Sequence, residues 1–160
     1  NYLLMENKLI GGTVMINKAL VGLELRAEES GLVPYKKAKM HDWWFGLIAA
    51  GLGKIGYVED FTEYYRQHEN NVVGGGNFTS YFKARISKMH ENRMRIRENI
   101  AQGEEFLKYF GEYLCESELI AAKEFAALKT KGYLGRRISI IKNRFLKSGL
   151  IRNIALFIFV

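Results

Sequence analysis

The spacing of apolar positions changes character near residues 74–77. Before that point the chain reads as mixed α/β. Residues 2–10 suit a short helix leading toward a strand, and Gly11-Gly12 breaks it. Thr13-Val14-Met15-Ile16 is a short, partly β-branched apolar run, which predicts a buried strand. Asn17 can cap a helix over 18–25, because its side-chain oxygen can satisfy an orphan backbone amide. Residues 26–39 read as a loop with Gly31, Pro34 and the cluster Lys36, Lys37, Lys39. Asp42 opens an apolar run from Trp43 to Leu52 that Gly53 closes, which is helix punctuation. Ile55–Val58 and Phe61–Gln67 read as two strands around a Glu59-Asp60 turn.

After Gly76 the period becomes helical. Phe78, Phe82, Ile86, Met89, Met94 and Ile96 recur among many Lys and Arg residues over 78–101. Residues 103–128 suit one or two further helices, Gly132 and Gly135 interrupt, and 136–160 form a last basic and apolar stretch. The organisation expected is therefore 1–76 and 77–160, the first mixed α/β and the second a helical, basic extension.

Charge sharpens that division. The net charge is +7, yet no acidic residue follows Glu124, while Lys129, Lys131, Arg136, Arg137, Lys142, Arg144, Lys147 and Arg152 all do. Those eight exceed the whole net charge, so residues 1–124 sum to −1. The apolar end, Leu150 to Val160, is well short of the ~20 residues a membrane span needs. Residues 138–158, with Ile138, Ile141, Phe145, Leu150, Ile151 and Ile154 among basic residues, suit a helix lying on an anionic membrane surface. They suit equally a helix packed on the rest of the chain with its lysines in water. A nucleic-acid partner is not expected, because the aromatics cluster in the near-neutral half and no nucleic-acid motif is present. The competing function class is a non-catalytic basic module that binds membrane or nucleic acid, the latter through the basic tail, or a purely structural peripheral membrane adaptor.

Cys115 is alone, so no internal disulfide forms and a reducing cytoplasm is the natural compartment. Asn77-Phe78-Thr79 is a formal sequon with no secretory context. The chain opens on Asn1 in mid-pattern, without a signal-peptide layout, and so reads as a piece of a longer one.

The candidate chemistry lies between Met40 and Gly75. It runs Met40-His41-Asp42-Trp43-Trp44, an apolar helix, Gly53-Lys54-Ile55-Gly56-Tyr57, then Tyr64-Tyr65-Arg66-Gln67-His68-Glu69-Asn70-Asn71-Val72-Val73-Gly74. With Gly11-Gly12-Thr13-Val14-Met15-Ile16-Asn17-Lys18 before it, this order and spacing resembles family 2 glycosyltransferases, particularly bacterial rhamnosyltransferases of polysaccharide assembly. The likeness covers residues 1–76; Gly149-Leu150-Ile151-Arg152-Asn153 is similar more loosely.

The resemblance implies an α/β, Rossmann-like GT-A fold, with residues 1–76 as its C-terminal, acceptor-side part. It implies inverting transfer of a sugar, rhamnose by analogy, from a nucleotide-sugar donor to a saccharide or lipid-linked saccharide acceptor in surface polysaccharide biosynthesis. Asp42 matches the general base that takes the acceptor proton. At a helix N-terminus the dipole favours its ionised form, and alignment of reactants can supply roughly 7–11 kcal/mol. On spacing alone Asp42 is equally an N-cap. Trp43 and Trp44 point about 100° apart on a helix, so one is expected on a sugar face and one in the core; both buried is the alternative. Gly11 and Gly12 suit close backbone approach to a ligand or a plain turn. Arg66 can fork onto a diphosphate or form a salt bridge, and Gln67 goes with it among the substrate-binding residues. His68 can complete the site of a divalent metal, Mg or Mn, that bridges the donor diphosphate, donate to phosphate as a neutral imidazole, or simply end a strand. His41 reads as structural or at the rim, and Asn70 and Asn71 as caps. The family's metal-binding Asp-x-Asp is absent from this chain. Donor binding and transfer are therefore expected of a full-length enzyme and not of these 160 residues, with the enzyme cytoplasmic and peripheral on the inner face of the plasma membrane.

Overall fold

A computed structural model describes residues 1–29, 38–60, 64 and 89–160. Among them every regular element is a helix: α1 (Tyr2–Met5), α2 (Lys18–Glu29), α3 (His41–Leu52), α4 (Met89–Phe110), α5 (Glu116–Ala126), α6 (Tyr133–Lys142) and α7 (Leu150–Phe159). Short 3-10 turns cover Gly11–Thr13, Gly111–Tyr113 and Ala127–Lys129.

This overturns the expected α/β fold. No sheet is present among the described residues, so the chain is not a Rossmann-like GT-A half-domain. At the first predicted strand, Gly11–Thr13 curls into a 3-10 turn and Met15 and Ile16 stay exposed. Ile55, Tyr57 and Val58, of the second, are also exposed and carry no ladder. A strand needs a neighbour to take its backbone N–H and C=O groups, and a four-residue apolar run does not itself specify one. The third, Phe61–Gln67, lies outside the described residues except for Tyr64.

The helical punctuation holds better. Asn17 Oδ1 accepts the Leu20 N–H at 2.9 Å, the expected cap, and α2 runs on past residue 25 to Glu29. Helix α3 starts one residue before Asp42, with Met40 in the extended cap position, and stops at Gly53. Helix α5 carries Glu116 and Glu118 in its first turn and Lys123 in its last, each favourable to the helix dipole. Helix α6 ends with Arg144 in the left-handed region, φ 53°. The Phe145 N–H then reaches Ile140 O at 3.0 Å and the Arg144 N–H reaches Ile141 O at 3.2 Å. That is a Schellman closure, and its usual apolar contact is supplied by the fully buried Phe145 and Ile140.

Helix α4 is the scaffold on which the others pack. Its buried face carries Asn92, Ile96, Asn99, Gly103, Phe106 and Phe110, a spacing of three and four residues, with Ile100 and Gln102 buried beside them. Helices α1 and α3 lie on it from one side of the chain and α5 and α7 from the other. The expected boundary at 74–77 falls outside the described residues, while the helices before and after it share one hydrophobic core. Polar ties cross the same divide: Asn99 Nδ2 donates to Met5 O at 2.8 Å, and Gln102 Oε1 accepts the Lys39 N–H at 2.7 Å. Among the described residues, no helix is long and apolar enough to cross a membrane.

Close approach between α4 and α5 depends on Gly103. A Cβ there would sit 2.6 Å from Cδ1 of Phe125, a ring with no exposure and no room to retreat. Gly103→Ala gains helix propensity of ~1 kcal/mol but overpacks the core by about 1–3 kcal/mol. A net loss of stability of up to roughly 2 kcal/mol is expected, measured by chemical denaturation against wild type.

Candidate functional site

Two of the motif segments meet in space. The 3-10 turn at Gly11–Thr13, closed by the Thr13 N–H on Ile10 O at 2.8 Å, lies against the first turn of α3. A Cβ on Gly11 would stand 3.0 Å from His41 Nε2 and 3.8 Å from Asp42 Cβ. Glycine is thus what lets the turn seat itself on His41 and Asp42. Gly12 is exposed beside it.

Asp42 is only 3% exposed, and its Oδ1 accepts the Trp43 backbone N–H at 2.7 Å. That amide is one of the orphan donors of a helix first turn. The carboxylate therefore does capping work from inside the helix, while Met40 holds the cap position.

The tryptophans depart from the expected split, because both are interior. Trp43, 4% exposed, donates its indole N–H to Leu3 O at 2.5 Å. Trp44, with no exposure, donates to Glu24 Oε2 at 2.8 Å and packs on Phe106, Tyr109 and Phe110. Neither face is open to a sugar. Arg66, Gln67 and His68 lie outside the described residues. Among the described residues no group of three His, Cys, Asp or Glu gathers as a metal would require. The divalent ion implied by the motif therefore finds no ligand set among the described residues.

The looser C-terminal motif has a structural meaning. Gly149 takes φ 82° at the start of α7. Asn153 Oδ1 accepts the Lys147 N–H at 2.7 Å, and its Nδ2 donates to Lys147 O at 2.8 Å and Gly149 O at 3.0 Å, clasping the α6–α7 connection. The Arg152 guanidinium pairs with buried Glu6. Burial holds Arg152 below the usual arginine pKa. Glu6 also accepts Lys8 Nζ at 2.5 Å and the Ser148 N–H at 2.9 Å, so it ties the first segment to α7.

No family model, curated protein or solved structure matches the chain.

Sequence reasoning passed over Glu24 and Glu6. The signal for Glu24 is its place in α2: with Leu20 and Leu23 it falls on the inward face at helical spacing. Of the exposed apolar strip on α6, sequence reasoning marked Ile138 and Ile141 but passed over Leu134. Leu134, Ile138 and Ile141 follow one another at four and three residues and are 70%, 65% and 64% exposed. Arg137, stacked 3.3 Å from the Tyr133 ring, and Lys142 flank them.

The chain has two tryptophans, so its fluorescence reports this buried pair alone. Expected emission is blue-shifted, weakly quenched by iodide and unchanged by added saccharide. Strong quenching would place an indole in an open groove.

Proposed function

We propose that this chain is part of a nucleotide-sugar-dependent, inverting glycosyltransferase, with Asp42 as the base that deprotonates the acceptor. The reading rests on the ordered motifs and not on any α/β architecture. The observation that carries it is the seating of the Gly11 turn on His41 and Asp42, which joins two motif segments distant in sequence. In the reaction, the acceptor hydroxyl oxygen forms a bond to the anomeric carbon of the donor sugar. Its proton passes to Asp42, and the nucleoside diphosphate leaves with the bonding electrons. A base must come within ~2.6–3.2 Å of that proton. At 3% exposure the Asp42 carboxylate is closed to an acceptor as it stands, so this reading requires a rearrangement around the first turn of α3. Donor recognition, with its divalent ion and with rhamnose as the sugar suggested by the motif, falls in this reading to residues beyond those described.

The α6 strip supports a membrane-facing placement, with a lipid-linked saccharide as acceptor and the cytoplasmic face of the plasma membrane as its location. Three exposed apolar side chains beside cations suit the headgroup boundary of an anionic bilayer. Nucleic acid would use the cations and leave the apolar strip in water.

Asp42→Asn in the full-length enzyme should lower sugar transfer by roughly 10²–10⁴-fold, the usual worth of general base catalysis, with the melting temperature little changed. Retained turnover would remove Asp42 from the chemistry. For the membrane, Ile138→Ser with Ile141→Ser should reduce flotation with anionic liposomes by at least about tenfold, given ~0.8 kcal/mol per buried methylene. Undiminished flotation would dismiss the strip, and tight, salt-sensitive binding to random RNA would favour the nucleic-acid module instead.

A further inference from the structure

A second feature shares no residue with the Gly11–Asp42 contact. Helices α4, α6 and α7 enclose a cavity of about 530 Å³, within the usual ~300–1,000 Å³ of small-molecule sites. Its floor is apolar, built from Ile96, Ile100, Leu128 and Phe159, all largely buried. Its rim is cationic, with Arg93 and Arg97 exposed one turn apart on α4.

The other charges around the cavity are already engaged. Glu104 accepts Lys129 Nζ on both carboxylate oxygens, at 3.0 and 2.9 Å. Arg136 Nε donates to Lys131 O at 2.8 Å, which fixes that guanidinium. Arg93 and Arg97 have no carboxylate partner among the described residues. Like charges four residues apart destabilise a helix, and an anion bridging them reverses that effect. A guanidinium pair matches phosphate oxygens through planar, charge-assisted hydrogen bonds. An apolar floor beneath a cationic rim asks for one molecule with both characters.

We propose that this cavity binds a phosphorylated amphiphile, with the phosphate on Arg93 and Arg97 and an aliphatic chain over Ile96, Ile100, Leu128 and Phe159. The site stands independently of the transferase reading, since neither Asp42 nor any other motif residue lines it.

The test is a binding titration of the intact chain with decyl phosphate below its micellar concentration, beside inorganic phosphate and decanol. Decyl phosphate should bind at least about tenfold more tightly than either, since it alone meets both charge-assisted rim and apolar floor. Arg93→Gln with Arg97→Gln, both at exposed positions, should weaken it by at least roughly tenfold with the melting temperature unchanged. Ala101→Phe, which fills the cavity from α4, should weaken it while leaving the rim intact. Phosphate binding as tightly as decyl phosphate would reduce the feature to a bare anion site and overturn the proposal. Equal binding of decanol would reduce it to an apolar hollow, and undiminished binding in the arginine variant would remove the rim from recognition; either overturns it too.

Discussion

Burial of Trp44 is the constraint on which the arrangement of this chain depends. Its ring sits 6.4 Å from Phe106, 6.5 Å from Tyr109 and 6.0 Å from Phe110, so α3 is held on the C-terminal half of α4. Edge-on and tilted contacts of this kind add to the area that an indole removes from water. The same indole must place its N–H, because an unpaired buried donor costs about 1–3 kcal/mol. Glu24 accepts it, and that draws α2 onto the pair. One side chain thereby fixes three helices, and Asp42 and His41 take their positions from the helix it anchors.

Much of the helical content could be read from the sequence, because the signals are local. Asn17 and Gly53 bound helices for reasons contained within a few residues; of the apolar positions read along α4, Ile96 does face inward, while Met94 is exposed. The strands failed because pairing is not local. Thr13–Ile16 and Ile55–Val58 have strand-like composition, but composition supplies no partner edge. For the site, the order of motifs located Asp42 and Gly11, and the fold brings those two together. It did not reveal that both tryptophans lie inside, since an amphipathic reading of two neighbours assumes that one face of the helix meets solvent. Helix α3 has buried residues over well more than half of its circumference, at Asp42, Trp43, Trp44, Gly46, Leu47 and Ile48. The cavity under Arg93 and Arg97 was invisible for another reason: its walls come from three separate segments, 93–104, 128–136 and 159–160, that only the fold brings together.

The basic tail also looks different once folded. Lys129 pairs with Glu104, Lys131 with Glu124, and Arg152 with Glu6. The Lys131 ammonium, with help from the Ser139 hydroxyl, holds the Glu124 carboxyl below the usual glutamate range. Part of the excess charge thus answers acids from earlier in the chain. What remains outward on α6 stands beside Leu134, Ile138 and Ile141, and the pairing of charge with apolar exposure gives that face its character.

The helical glycines carry one more implication. A Cβ on Gly46 would meet Leu9 at 2.4 Å, and one on Gly51 would meet Phe106 and Leu114 at 2.8 Å. Each glycine weakens its own helix by about 1 kcal/mol relative to alanine, and helices this short are marginal alone in water. Helix α3, of 12 residues, has little reason to persist after its neighbour departs, and the end of α4 packed on it at Phe106 and Phe110 loses its cover in the same event. Their backbone amides should therefore exchange with solvent through a shared opening event, as one cooperative unit and not as separate rods fraying from their ends.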